Sequence, residues 1–195
     1  MNYRYILKCI ECEKEDSPKD IRYVCPECQK KQKPFDTLRG VLEVKLDEKY
    51  IDKKDKKNLN QLLAFKKEDI LDYPVGNTPL IYSKNLNKAY DFEKVYIKDD
   101  GKNPTNSLKD RASLLVVSEA LLKGENEIVT ASTGNAASSL AGVCAYAGCK
   151  AIIFVPAKAS FGKLVQIAKY GAVIIPVDGT RSEEHTSELQ SLLII

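Results

Sequence analysis

Residues 127–155 read EIVTASTGNAASSLAGVCAYAGCKAIIFV, and this stretch decides the fold. Glu127 to Ala131 is an apolar run of strand length. A loop of small residues follows, then a helix predicted from Gly134 to Ala147, with Gly148 just past its end where a helix stop belongs. Lys150 to Val155 is a second, almost continuous apolar strand, which suits burial on both faces of a parallel sheet. Downstream, Phe161 to Tyr170 is predicted as a helix and Val173 to Val177 as a strand. Upstream, Lys94 to Lys98 reads as a strand, and a helix is predicted to open at Ser107, run to about Lys123 and stop at Gly124. Ser107 with Asp110 three residues on fits a capping box, and the acid suits the positive helix end. Alternating strands and helices with short loops predict an α/β fold with a partial doubly wound parallel sheet. Ligands of such sheets bind where strands lead into helices, and residues 101–111 and 131–136 both fall at such positions.

Composition narrows the class. Hydrophobic residues are 44% of the 195 and charged residues 29%, an ordinary globular balance, and a net charge of +3 is too small to argue for a polyanionic partner. Met1 to Ile10 lack a signal-peptide pattern. The most apolar stretch, Leu140 to Val155, is broken by Gly142, Gly148 and Lys150, so it reads as a buried helix and strand, not a membrane span. A cytoplasmic protein without a membrane partner is expected.

The last fifteen residues differ from the rest. From Arg181 they run Arg-Ser-Glu-Glu-His-Thr-Ser-Glu-Leu-Gln-Ser, a string that resembles an in-frame translation of a common sequencing adapter. Residues 181–195 are therefore expected to be an artefact on a truncated chain, and His185, the single histidine, carries no functional argument. Without Arg181, Glu183, Glu184 and Glu188 the chain keeps 29 basic and 24 acidic residues, a charge of +5.

Six cysteines form two groups. Cys9-x-x-Cys12 and Cys25-x-x-Cys28 are separated by twelve residues, a spacing that directs four thiolates at one ion. A closed all-thiolate set points to structural zinc, which stabilises a small module by roughly 10–16 kcal/mol. Residues 1–46 are thus read as a zinc-ribbon-like module, with Val41 to Leu46 a half-exposed strand in which Leu42, Val44 and Leu46 alternate with Glu43 and Lys45. Lys30, Lys31 and Lys33 follow the second pair, but no aromatic residues interleave, so no nucleic-acid partner is expected. Residues 47–72 read as a lysine-rich linker with a short helical pattern around Leu59, Leu62, Leu63 and Ile70, and 73–180 as an incomplete α/β domain. Cys144 and Cys149 read as buried thiols acting as small hydrophobes.

Two loops carry chemistry. Lys109 is placed in the first turn of a helix, where a cation is unfavourable; a desolvated amine there would have its pKa lowered, as imine formation needs. Ser132-Thr133-Gly134-Asn135 brings small residues and free amides to a helix N-terminus, suited to a carboxylate or phosphate. Gly76-Asn77-Thr78-Pro79-Leu80, Asn103-Pro104-Thr105-Asn106-Ser107-Leu108-Lys109-Asp110-Arg111 and Ser132-Thr133-Gly134-Asn135 resemble, in order and spacing, the N-terminal half of the threonine synthases. The likeness continues through Val155-Pro156-Ala157-Lys158, Gly162-Lys163-Leu164 and Tyr170-Gly171-Ala172, and covers about residues 73–178.

The resemblance implies a fold type II, tryptophan synthase beta-like enzyme that uses pyridoxal 5'-phosphate. It implies that Lys109 is the Schiff-base lysine and proton carrier, and that Asn135 bonds the cofactor's phenolic oxygen. Ser132, Thr133 and Gly134 would lie near the substrate or cofactor. An amino-acid substrate is implied, O-phosphohomoserine above all, with a homodimer the expected partner state at full length. Asn106 and Leu108 depart from the Gly and Phe frequent in the family, which bears on the substrate and not on the cofactor. Two alternatives stay open: another β- or γ-replacement or elimination enzyme, such as a cysteate synthase or threonine dehydratase, and a non-enzymatic zinc-ribbon binding protein. The family's Gly-rich phosphate loop and its partner for the pyridine nitrogen are not found before Thr180, so these residues alone are expected to bind the cofactor poorly and to lack useful turnover.

Overall fold

Tyr5–Cys9 (β1) alternates buried and half-buried residues, as a strand with one covered face must. It is the centre of a three-stranded antiparallel sheet, flanked by Glu15–Asp16 (β2) and Leu42–Leu46 (β3), with Tyr5 opposite Leu46 and Cys9 opposite Leu42. A one-turn helix, Pro26–Gln29 (α1), starts on a proline, whose fixed φ suits that position. The computed structural model of the protein describes residues 3–19, 24–55 and 57–178. These fall into two compact units that divide between Ile70 and Leu71.

The first unit differs from its sequence reading in two places. The alternation in β3 is only partly realised as a buried face: Leu42 and Leu46 are half-buried, Leu42 against the cysteines, while Val44 is exposed. The short helix expected around Leu59 takes the form of a 3-10 turn at Leu59–Leu62, with two more at Glu48–Tyr50 and Lys67–Asp69, where the Asp- and Asn-rich chain bonds its own backbone. Asp47 accepts from the Lys49 amide in one such bond at 3.1 Å. Phe65 packs edge-to-face on Tyr5, ring centroids 5.8 Å apart, so part of the lysine-rich stretch belongs to the core.

In the second unit, Leu80–Tyr82 (β4) and Tyr96–Lys98 (β5) flank the helix Lys84–Tyr90 (α2). After them come Asp110–Leu122 (α3), Glu127–Ala131 (β6), Asn135–Ala147 (α4), Lys150–Pro156 (β7), Phe161–Lys169 (α5) and Val173–Val177 (β8). Strands β6, β7 and β8 are parallel and lie side by side in chain order. The α/β class with a parallel sheet is present. The reversal of strand order that defines double winding does not occur among the described residues. Gly148 closes α4 at φ 74°, the left-handed stop expected of it.

Two expectations about this unit are corrected. Strand β5 does not join the parallel sheet: it pairs antiparallel with β4 in a separate two-stranded sheet, Ile81 opposite Ile97. Its three residues are all exposed, so burial supplies no demand for a central parallel position. Strand β7 is not covered on both faces. Ala151, Ile153 and Val155 are buried while Phe154 is exposed, and the core lies on the first face, against Leu140, Val143 and Cys144 of α4, Val117 of α3 and Ile167 of α5. Cys144 is fully buried and Cys149 half-buried; burial raises both thiol pKa values, which suits inert apolar packing.

No helix among the described residues is long and apolar enough to cross a membrane. Residues 181–195, with His185, lie outside the described residues.

Candidate functional site

Helices α3 and α4 pack together, and a buried hydrogen bond fixes their relative position: Ser139 Oγ donates to Ser113 Oγ at 2.7 Å. One turn before that bond on each helix stand Lys109 and Asn135. Lys109 occupies the N-cap position of α3 and Asn135 is the first residue of α4. Both are exposed, so the amine is not desolvated here as the sequence reading required. Among the described residues no hydrogen bond holds either side chain. Ser138 N–H reaches Gly134 O at 3.2 Å, while the amides before it, in the first turn of α4, have no intrahelical partner and can receive an anion.

The other loop residues serve the turn. Ser132 and Thr133 are buried, Ser132 Oγ accepts from Gly134 N–H at 3.2 Å, and Ser132 N–H extends the sheet by donating to Phe154 O at 3.2 Å. Gly134 is half-buried at the N-cap of α4. The Ser132 and Gly134 amides are thus engaged, and the amides this region offers a ligand are those of the first turn of α4.

The capping box at Ser107 does not form. Helix α3 begins at Asp110, and Ser107 Oγ accepts instead from Lys109 N–H at 3.1 Å. Asp110, fully buried, turns back to accept from Thr105 N–H at 2.8 Å and from the Thr105 hydroxyl. The two donors of Thr105 have captured the acid. Asn106 takes φ 59°, so an asparagine does hold the left-handed corner of this turn. Thr105 in turn rests on α4: a Cβ on Gly142 would lie 2.6 Å from Thr105 Cγ2.

A second set of residues around the loop escaped the sequence reading. Arg111 donates from Nε and Nη2 to the two oxygens of Asp100, at 2.9 and 2.8 Å, and Thr78 Oγ1 donates to Asp100 Oδ1 at 2.6 Å. The Arg111 guanidinium, helped by Thr78, holds the Asp100 carboxyl well below the usual carboxylate range. Asn103 binds the Gly76 amide at 3.0 Å and donates to Asp100 O at 2.9 Å. One signal in the sequence pointed here: an arginine in a first helical turn opposes the helix dipole and calls for an acid nearby.

In the first unit the two cysteine pairs meet. The sulfurs of Cys9, Cys12, Cys25 and Cys28 all lie within 4.8 Å of one another, with Cys9 and Cys28 3.8 Å apart and Cys12 and Cys25 3.7 Å apart. A tetrahedral ion with metal–sulfur bonds of about 2.3 Å needs sulfurs about 3.8 Å apart, so the donor set fits zinc. A backbone hydrogen bond from Cys12 leads in lowering Cys9 to about 7, whereas burial pushes Cys28 up to about 12. Glu11, inside the first pair, accepts from Arg39 and from Gly40 N–H, and Gly40 lies against Cys25 and Cys28 at φ 71°. A Cβ there would meet Cys28 Cβ at 2.9 Å.

Over 186 residues the chain is 34% identical to the threonine synthase of Methanosarcina acetivorans, covering 90% of this chain and 43% of that one. Over 189 residues it is 35% identical to the threonine synthase of Methanocaldococcus jannaschii, covering 89% and 44%. The chain thus spans less than half the length of these relatives. The O-acetylserine dependent cystathionine beta-synthase from Helicobacter pylori matches in structure with a TM-score of 0.50 and 27% identity, over 62% of this chain and 42% of that one. Residues 71–192, which include the loops bearing Lys109 and Asn135, match the family of pyridoxal-phosphate dependent enzymes, and to that family the chain belongs.

Proposed function

We propose that the chain carries the cofactor lysine of a threonine synthase-like, lyase-type enzyme that converts O-phosphohomoserine and water to threonine and phosphate. The observation that carries this reading is the pairing of Lys109 and Asn135 at the starts of two helices joined by the Ser113–Ser139 bond. Pyridoxal phosphate, when bound, supplies an electron sink for negative charge at a substrate carbon. Lys109 Nζ would hold it covalently and later take up and return a proton. The Asn135 amide would orient the ring through its phenolic oxygen. The first-turn amides of α4, presented by Ser132, Thr133 and Gly134, would receive the substrate carboxylate. Lys109 lies exposed, so the water exclusion that its amine chemistry needs would come from substrate, cofactor or further polypeptide.

Zinc held by Cys9, Cys12, Cys25 and Cys28 would be structural, since four thiolates leave no open position. A fold type II architecture, a cytoplasmic location and a homodimer at full length complete the proposal. So does the layout of a zinc-ribbon-like module over 1–46, whose core is completed by residues 47–70, an incomplete catalytic domain over 73–180 and an adapter-derived tail over 181–195.

Visible absorbance of a pyridoxal-phosphate imine, lost in a Lys109→Ala variant, tests the lysine assignment; weak binding and no turnover are expected of these 195 residues. Phosphate release from O-phosphohomoserine by a protein of the relatives' length tests the substrate, and no release would end that part. The likeness to a cystathionine beta-synthase favours one second reading, a β-replacement enzyme, which O-acetylserine turnover by the same protein would reveal.

A further inference from the structure

The two residues that follow Lys109 in the chain have their side chains committed elsewhere. Asp110 is buried on Thr105, and Arg111 grips Asp100 with two parallel N–H···O bonds. Arg111 also reaches Thr78 Oγ1 at 3.4 Å, and Gly76, at φ 91°, leaves its guanidinium room: a Cβ there would lie 3.3 Å from Nη1. Isolated exposed ion pairs contribute little, but a bidentate pair inside a network defines geometry. Thr78 and Arg111, 33 residues apart in the chain, thus converge on this one carboxylate, while Asn103 ties the Asp100 backbone to Gly76.

From this convergence we infer that Asp100 is a positioning residue which, through Arg111, fixes the backbone of the Lys109 turn so that an exposed amine is presented from one place. The inference rests on the reading of Lys109 as the cofactor lysine. Preorganisation of this kind matters because small misplacements of a reacting atom carry large rate penalties.

The test uses a protein of the relatives' length that contains this chain, in excess pyridoxal phosphate. The lysine amine condenses with the aldehyde and releases water; borohydride then delivers hydride to the imine carbon, and peptide mapping gives the trapping rate at each lysine. Asp100→Asn should slow trapping at Lys109 roughly tenfold, leave the exposed Lys88 unchanged, and keep the circular dichroism of the unaltered chain. Asp100→Glu, which restores the charge, should recover most of the rate. Equal rates at Lys109 in the unaltered chain and the Asn variant would overturn the inference. So would slowing that extends to Lys88, or a failure of Glu to rescue, since either marks a merely structural role. If Lys109 in the unaltered chain traps no faster than Lys88, the assignment of Lys109 itself fails, an outcome distinct from the others.

Discussion

Thr105 shows how much one side chain can settle near a reactive lysine. Its hydroxyl and amide hold Asp110, while its methyl fills the space that Gly142 leaves on α4. A Gly142→Ala substitution should therefore destabilise the second unit by about 1–3 kcal/mol through overpacking. Adding Thr105→Ser, which removes the methyl and keeps the hydroxyl, should recover most of that loss; urea titration of the single and double variants decides it. Asp100 makes a pH prediction. Its native pKa is depressed, chiefly by Arg111, so its contribution is complete above the unfolded value of about 4 and is lost as pH falls through the lower native value. The urea-midpoint gap between the unaltered chain and Asp100→Asn should thus be largest near neutrality and shrink below about pH 4. A gap that grows on acidification would contradict the pairing. None of these partners was legible in sequence, because Asp100, Thr78 and Arg111 meet across loops whose path local patterns do not encode. The Asp110 misreading is of another kind: Ser107 and Thr105 both offered it a bond, and spacing alone could not rank them.

At the scale of elements, the parallel strands and the helices between them were legible because each couples an apolar run to a glycine stop. Gly148 after α4 and the small-residue loop before it are the plainest cases. Pairing partners were harder to read. Strands β4 and β5 are three residues each and exposed on both sides, so neither alternation nor a continuous apolar run announces whether they pair parallel or antiparallel. Strand β1 was not legible, because the apolar Ile6 on its half-exposed face blurs the alternation of Tyr5, Leu7 and Cys9 with Ile6 and Lys8. The α3–α4 pair carries its own prediction. Ser113→Ala leaves the buried Ser139 hydroxyl without its partner and should cost about 1–3 kcal/mol. The double variant Ser113→Ala with Ser139→Ala should cost less than the single one, as chemical denaturation can measure. Equal or greater loss in the double variant would mean that the bond is incidental to the packing.

For the whole molecule, the two units stand on different chemistry: one has a buried cysteine cluster, the other a core of alanine and branched aliphatic side chains. With zinc bound, the four clustered thiols should resist a thiol reagent; after chelation they should react, while Cys144 stays protected in its helix. Unchanged reactivity on chelation would count against a metal at that site. The domain-scale pattern was legible from cysteine spacing and strand–helix alternation. The packing of residues 47–70 into the first unit was not, since Phe65 is a single apolar residue in a charged stretch and declares its partner only in three dimensions. Chain order adds a consequence for biosynthesis. Every sulfur of the cluster and both neighbours of β1 are synthesised by residue 46, whereas the parallel sheet waits for β8 at residues 173–177. With zinc as the proposed ion, a nascent chain emerging from the ribosome would be able to bind it and close the first unit while the second is still being translated, so metal supply during synthesis would act on the earliest folding event of this protein.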